Sequence, residues 1–372
     1  MLDRGWPCKT GTVQTAIGDC ACPRARWTMN SQAMFVVLWF ILVLAAARDG
    51  HAQDELPLQH LQTIPMPNVS GRMDHLGVDI ERERLFAAAL GESQNTVEVI
   101  DLKAGKRIVS IHGQSMPQGV FYSDDFKRLF VSNGKDGTVK IFRGDSFQLV
   151  DSLSIGINPN HVGYDQTTGY LYVGIGIPNS RAGALAIIET RTNKQIGVIQ
   201  TDAHPGGIKV ETAGRRIFVT LAGVPKVGVV DRQQREETAT WPVTGVPGLV
   251  ALALDETHHR LFGGSRNPPM LTVLDTESGR QVTQLEGAEG IDDLWYDAER
   301  NRIYASGGRG SATGFVYVYQ QKDPDHYELR AKIPTRANAQ TSIWVPQLNR
   351  YYVSASANNK EDAAILVFEP QP

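Results

Sequence analysis

An all-β ring of seven four-stranded antiparallel blades is the fold this sequence predicts, and three observations predict it. The first is a hairpin that recurs. In RLFVSNGKDGTVKIF (128–142) two β-rich runs, Leu129 to Val131 and Thr138 to Phe142, flank Lys135-Asp136-Gly137, whose Asp-Gly suits a tight turn with φ > 0. Counterparts begin at residues 84, 170, 216, 260, 302 and 350, which makes seven copies. The second is a short strand ahead of each hairpin, at 76–79, 120–123, 162–165, 208–211, 252–255, 294–297 and 343–347, with first residues 42 to 49 positions apart. A period in the forties with four short strands per unit is the signature of a β-propeller blade. The third is a missing strand with a matching spare. The seventh copy has no outer strand after Glu369, whereas LQHLQTIP (58–65) has that pattern and precedes the first copy. It is expected to pair with Ala364 to Phe368 and close the ring, which removes a free sheet edge. An open solenoid is the alternative architecture.

Each element follows from local physics. Inner strands are nearly continuous apolar runs because neighbouring blades cover both faces. The Asp that ends many of them (Asp79, Asp165, Asp255, Asp297) is expected to accept backbone N–H groups in the following turn and so to be scaffold. The same reading covers the basic residue before each second strand, and Asp101, Asp231 and Asp275. The outer strands are expected at 106–111, 147–153, 194–200, 236–243, 280–285 and 327–333.

The composition, 41% hydrophobic and 21% charged over 372 residues, is that of ordinary globular material, and the repeat assigns it to one large domain, residues 53–372. Residues 1–52 read as a signal peptide region. Met34 to Ala47 is a run of fourteen apolar residues, short of the roughly 20 needed to span a bilayer, and small residues follow it before Gln53. A retained membrane anchor is the competing reading, and Met29 or Met34 is a candidate start. The expected location is therefore periplasmic or secreted, with no membrane contact after cleavage. All three cysteines (Cys8, Cys20, Cys22) precede the cleavage point, so the mature chain would lack a disulfide and covalent haem attachment. Removing residues 1–52 takes away five of 37 basic and three of 40 acidic residues, leaving 32 against 37. That balance, without a basic run, argues against a nucleic-acid partner.

The hairpins RLFVSNGKDGTVKIF, YLYVGIG and RIFVTLA resemble the YVTN repeat, and residues 58–369 as a whole resemble the YncE-like secreted bacterial propellers. The resemblance implies a seven-bladed propeller. It implies no settled chemistry, and the redox apparatus of architecturally related quinoprotein and cytochrome propellers does not carry over, because the cysteines for covalent haem are missing.

Function is sought where residues break the repeat. The two residues before each inner strand should stand at the mouth of the central channel: Asp74-His75, Gln118-Gly119, Asn160-His161, Gly206-Gly207, Val250-Ala251, Asp292-Asp293 and Thr341-Ser342. They form a polar arc facing a small or apolar one. His204, Asn133, Arg266 and Asn267 are further candidates near it. The ligand-binding set is thus Asp74, His75, Gln118, Asn133, Asn160, His161, His204, Arg266, Asp292, Asp293 and Thr341. These groups suit a small polar ligand, or simply water. They also suit a divalent metal on His75, His161 and His204, although no compact HxH or HExxH motif is present. Asp292 and Asp293 are not expected to share a proton, since adjacent strand residues point oppositely. No GxSxG, free cysteine or phosphate loop supports nucleophilic or nucleotide chemistry; the Gly-rich stretches 174–183 and 307–314 read as long hairpin loops, suited to protein contact. The function expected is that of a monomeric propeller binding a small polar ligand or a protein partner at the channel mouth. The alternative is a metal-assisted or redox enzyme using the channel histidines and carboxylates.

Overall fold

The computed structural model describes residues 56–91 and 95–372, so the expected signal peptide, the three cysteines and the expected cleavage point lie outside the described residues. Seven four-stranded antiparallel sheets form the ring, and Glu55–Pro372 is one compact unit. In six blades the strands run inner to outer in chain order, and the inner strands touch in sequence around the hub until the seventh meets the first. The seventh blade takes its outer strand from the other end of the chain. Leu58–Met66 pairs antiparallel with Ala363–Pro370, from Leu58 opposite Pro370 to Met66 opposite Ala363. Among the described residues the one helical element is a 3₁₀ turn, Pro346–Leu348.

Apolar side chains on the blade faces interlock between blades. Ile64 and Met66 from the first strand, Met73 and Leu85 from blade one, and Ile343, Tyr352 and Ile365 from blade seven share one buried cluster. Each side chain of that size contributes about 1.5–3 kcal/mol when removed from water, so this cluster fastens the two ends of the ring. Arg302, 3% exposed in blade six, donates to the carbonyls of Pro57 and Gln371 and secures the same seam.

The inner-strand aspartates serve the turns that follow. Asp165 accepts from the Thr167 N–H at 2.9 Å, Asp79 from Arg82 N–H at 3.1 Å, and Asp297 from Glu299 N–H at 3.1 Å. Two details depart from the sequence expectation. The outer strand of blade two begins at Leu149, not Phe147, because Phe147 adopts φ 55° and its N–H closes a turn onto the Arg143 carbonyl. The inner strands of blades one, two and four also begin earlier, at Arg72, Pro117 and Pro205. In each, the register slips between Met73 and Leu76, Pro117 and Val120, or Pro205 and Ile208. Two residues then oppose one, which is a β-bulge. Asp74-His75, Gln118-Gly119 and Gly206-Gly207 are those bulged pairs.

Candidate functional site

A bulge turns side chains out of the ladder, and at the hub of a propeller the direction left open is the channel. Inner strands approach one another closely there. A Cβ on Gly119 would fall 2.3 Å from the Asn160 carbonyl oxygen, so glycine is what lets blades two and three come together.

The channel has two chambers joined at a neck. The upper one, about 500 Å³, is the mouth, lined by Arg72, Asp74, Gln118, Asn160, His204, Arg266 and Arg309, with Gly206 and the 247–250 segment opposite. The lower one, about 320 Å³, is lined by Phe121, Tyr164, Ile208, Lys209, Trp295 and Trp344. His75, His161 and Asp292 border both, and Asp293 borders the lower.

The neck is an ionic cluster. His75 Nδ1 lies 3.3 Å from the Asp293 carboxylate, and its Nε2 is 3.6 Å from Asp74. Asp293 also accepts the Ser342 N–H at 2.9 Å. Arg72 donates to Asp74 at 2.7 Å and reaches within 3.8 Å of Asp292, while Arg266 pairs with Asp292 and donates to the Ile291 carbonyl at 2.8 Å. Asp292 and Asp293 therefore turn to different partners. Burial pulls the His75 imidazole down, but Asp293, Asp74 and Asp292 together outweigh it and hold it up at about 10, so it carries a charge at neutral pH. Burial pushes the Asp292 carboxyl up, against the opposing pull of Arg266 and His75.

His161 is the opposite case. Its ring lies 4.1 Å from that of His75, centroid to centroid, and neither of its buried nitrogens has a hydrogen-bond partner among the described residues. Burial first, then the charges of His75 and Arg266, hold it well below the usual histidine range. It is a neutral imidazole with a free lone pair and a free N–H, facing a cation. Buried polar groups are almost always satisfied, so these nitrogens require a partner from the channel, a water or a solute.

The other sequence candidates divide. Gln118 lines the mouth and donates to Asn158 Oδ1 at 3.1 Å; Asn160 and His204 line it too, and His204 Nε2 is 3.1 Å from the Asn158 carbonyl. Asn133 and Thr341 border neither chamber. Asn133 is fully buried and accepts the Ser115 N–H at 2.7 Å while donating to the Val131 carbonyl, and Thr341 donates to the Asp74 carbonyl at 3.0 Å. Both support the mouth from behind. Among the described residues, the His, Cys, Asp and Glu groups that converge tightly enough for one metal ion are His75, His161 and Asp293, so the expected trio is corrected: Asp293 stands where His204 was placed.

Sequence reading missed Arg72, Lys209 and the two tryptophans. Lys209 Nζ sits 4.3 Å above the Trp295 ring with no carboxylate in salt-bridge contact among the described residues, and burial pulls its amine down to about 8 despite the nearby charge of Asp293. A signal existed: Lys209 holds the position at which the other inner strands place Gly77, Phe121, Gly163, Ala253, Trp295 and Trp344.

No family model matches the chain, and no curated protein matches its sequence. Solved structures do match. A chain in the crystal structure of a mitotic checkpoint complex aligns with TM-score 0.68 at 13% identity, over 95% of this chain and 98% of that one. The structure of U3-55K aligns at 0.68 and 11%, over 83% and 98%, and the RRP9 WD40 repeats at 0.68 and 11%, over 84% and 100%. The fold is that of the WD40-type propellers. At such identities the likeness concerns architecture alone, and what this propeller does must come from its own hub.

Proposed function

We propose that this chain is a secreted, periplasmic binding propeller of the YVTN-repeat, YncE-like kind, whose channel mouth takes a small polar solute. The observation that carries this reading is the pair of His161 nitrogens, unpartnered among the described residues, at the floor of a 500 Å³ mouth where Arg72, Asp74, Gln118, Arg266 and Asp292 already have partners. A solute offering one donor and one acceptor would satisfy them, and Arg72, Asn160, Arg266 and Arg309 would orient it. The rigid ring supplies preorganisation, which limits the entropy lost on binding.

A panel of small carboxylates, amino acids and polyols, screened by thermal shift and followed by calorimetry, tests the reading. Binding of at least one class is expected, weakened tenfold or more by His161→Leu and by Arg266→Met. Solutes that bind both variants as well as the wild type would overturn it.

A protein partner is the second reading, favoured by the hairpin loops 177–182 and 308–314, the second of which places Arg309 on the mouth. One structure of the same fold belongs to a mitotic checkpoint complex. On this reading, changes in those loops disrupt a complex while changes at His161 leave it intact.

A further inference from the structure

We infer that the neck of the channel is a divalent transition-metal site built from His75, His161 and Asp293. One ligand atom from each of the three lies within 4.8 Å of the others. Ligand atoms on one ion, each about 2.0–2.2 Å from it, sit about 3.0–3.6 Å apart. His75 Nδ1 and Asp293 already stand at 3.3 Å, and the His161 nitrogen, within 4.8 Å of the other two, has to close on them by about an ångström to complete the set.

Two independent features point the same way. The buried nitrogens of His161 have no partner among the described residues, and a neutral imidazole lone pair is a ligand for Zn²⁺, Co²⁺ or Ni²⁺. The surroundings also suit a cation: a metal would take the place of the His75 proton among Asp74, Asp292 and Asp293, opposite Arg72 and Arg266. The supporting shell is in place. Asp293 is fixed by the Ser342 N–H, and Asp74 stands 3.6 Å from the far nitrogen of His75, longer than a hydrogen bond but on the side from which a carboxylate orients a metal-bound imidazole. Three protein ligands leave at least one coordination position open toward the chambers, as sites that admit a solute do.

The full chain, expressed without a histidine tag and stripped with chelator, is titrated with Co²⁺ and followed by visible absorption and by metal content after gel filtration. One equivalent is expected, with the absorption of a mixed nitrogen and oxygen site. His75→Ala and His161→Ala should weaken binding at least a hundredfold, and His204→Ala should leave it within about threefold. Asp293→Asn, which retains an acceptor for the Ser342 N–H, should also abolish one-to-one binding, and it decides the matter if an alanine variant does not fold. Substoichiometric metal, or full binding by Asp293→Asn or His161→Ala, would overturn the site. The solute reading is judged separately on metal-stripped protein. If solutes bind the stripped protein but Co²⁺ does not bind one-to-one, the metal site alone falls; if Co²⁺ binds one-to-one but no solute binds, the solute reading alone falls.

Discussion

His75 and His161 meet across the hub with ring centroids 4.1 Å apart and planes tilted by 54°, although they belong to blades one and three and carry opposite preferences for a proton. Carboxylates hold one charged, while burial and that charge hold the other neutral. The hub thus brings together residues that neighbour each other neither in sequence nor around the ring.

The joint contribution of His75 and His161 to stability should be greatest near pH 6.5, the ordinary histidine value. His75 titrates higher in the folded state than in the unfolded one, so its contribution is complete below about 6.5 and is lost as pH climbs through about 10. His161 titrates lower, so its contribution is complete above about 6.5 and is lost as pH falls below it. Urea denaturation across this range, taken as the difference between wild type and variant, should show His75→Gln removing the alkaline loss and His161→Gln the acid one.

Lys209 and Trp295 give a local probe. Deprotonation of the amine removes a cation from the indole face, so Trp295 emission should change with a midpoint near pH 8. Lys209→Met should abolish that step; a step that persists would assign it to another group.

Closure of the ring can be weighed at Ile64, 1% exposed in the N-terminal strand. Ile64→Ala should cost about 2–5 kcal/mol, as for other large-to-small core changes. Deleting residues through Met66 should expose the edge of Ala363–Pro370 and produce oligomers by light scattering.

Gly119→Ala tests the tight approach of blades two and three. Its methyl would meet the Asn160 carbonyl at 2.3 Å, and a backbone atom cannot turn aside. Destabilisation of about 1–3 kcal/mol is expected, and because His161 follows Asn160, solute binding at the mouth should weaken with it.

The blades were legible because each repeats an apolar inner strand followed by a hairpin, with a turn aspartate between them in four of the seven (Asp79, Asp165, Asp255 and Asp297). Closure was legible because Leu58–Met66 carries the pattern of an outer strand with no sheet of its own. The hub was only half legible. A bulge adds one residue without disturbing the apolar run that follows, so Asp74-His75 read as preceding the strand when they are inside it. Asn133 and Thr341 looked like mouth residues from their place in the repeat, but strand alternation turns them into backbone hydrogen bonds. The pairing of His75 with Asp293 joins blades one and six, and no local signal encodes a contact made across a ring.

The join between Leu58–Met66 and Ala363–Pro370 sets an order for assembly. During synthesis the first strand to emerge must wait, its backbone unsatisfied, until the last one has been made. Blades one to six can zip locally in succession, yet the circle locks only at the end, and the loop-closure entropy of nearly the whole domain falls on that one step. A nascent chain of this design remains vulnerable at its leading segment until the final residues arrive.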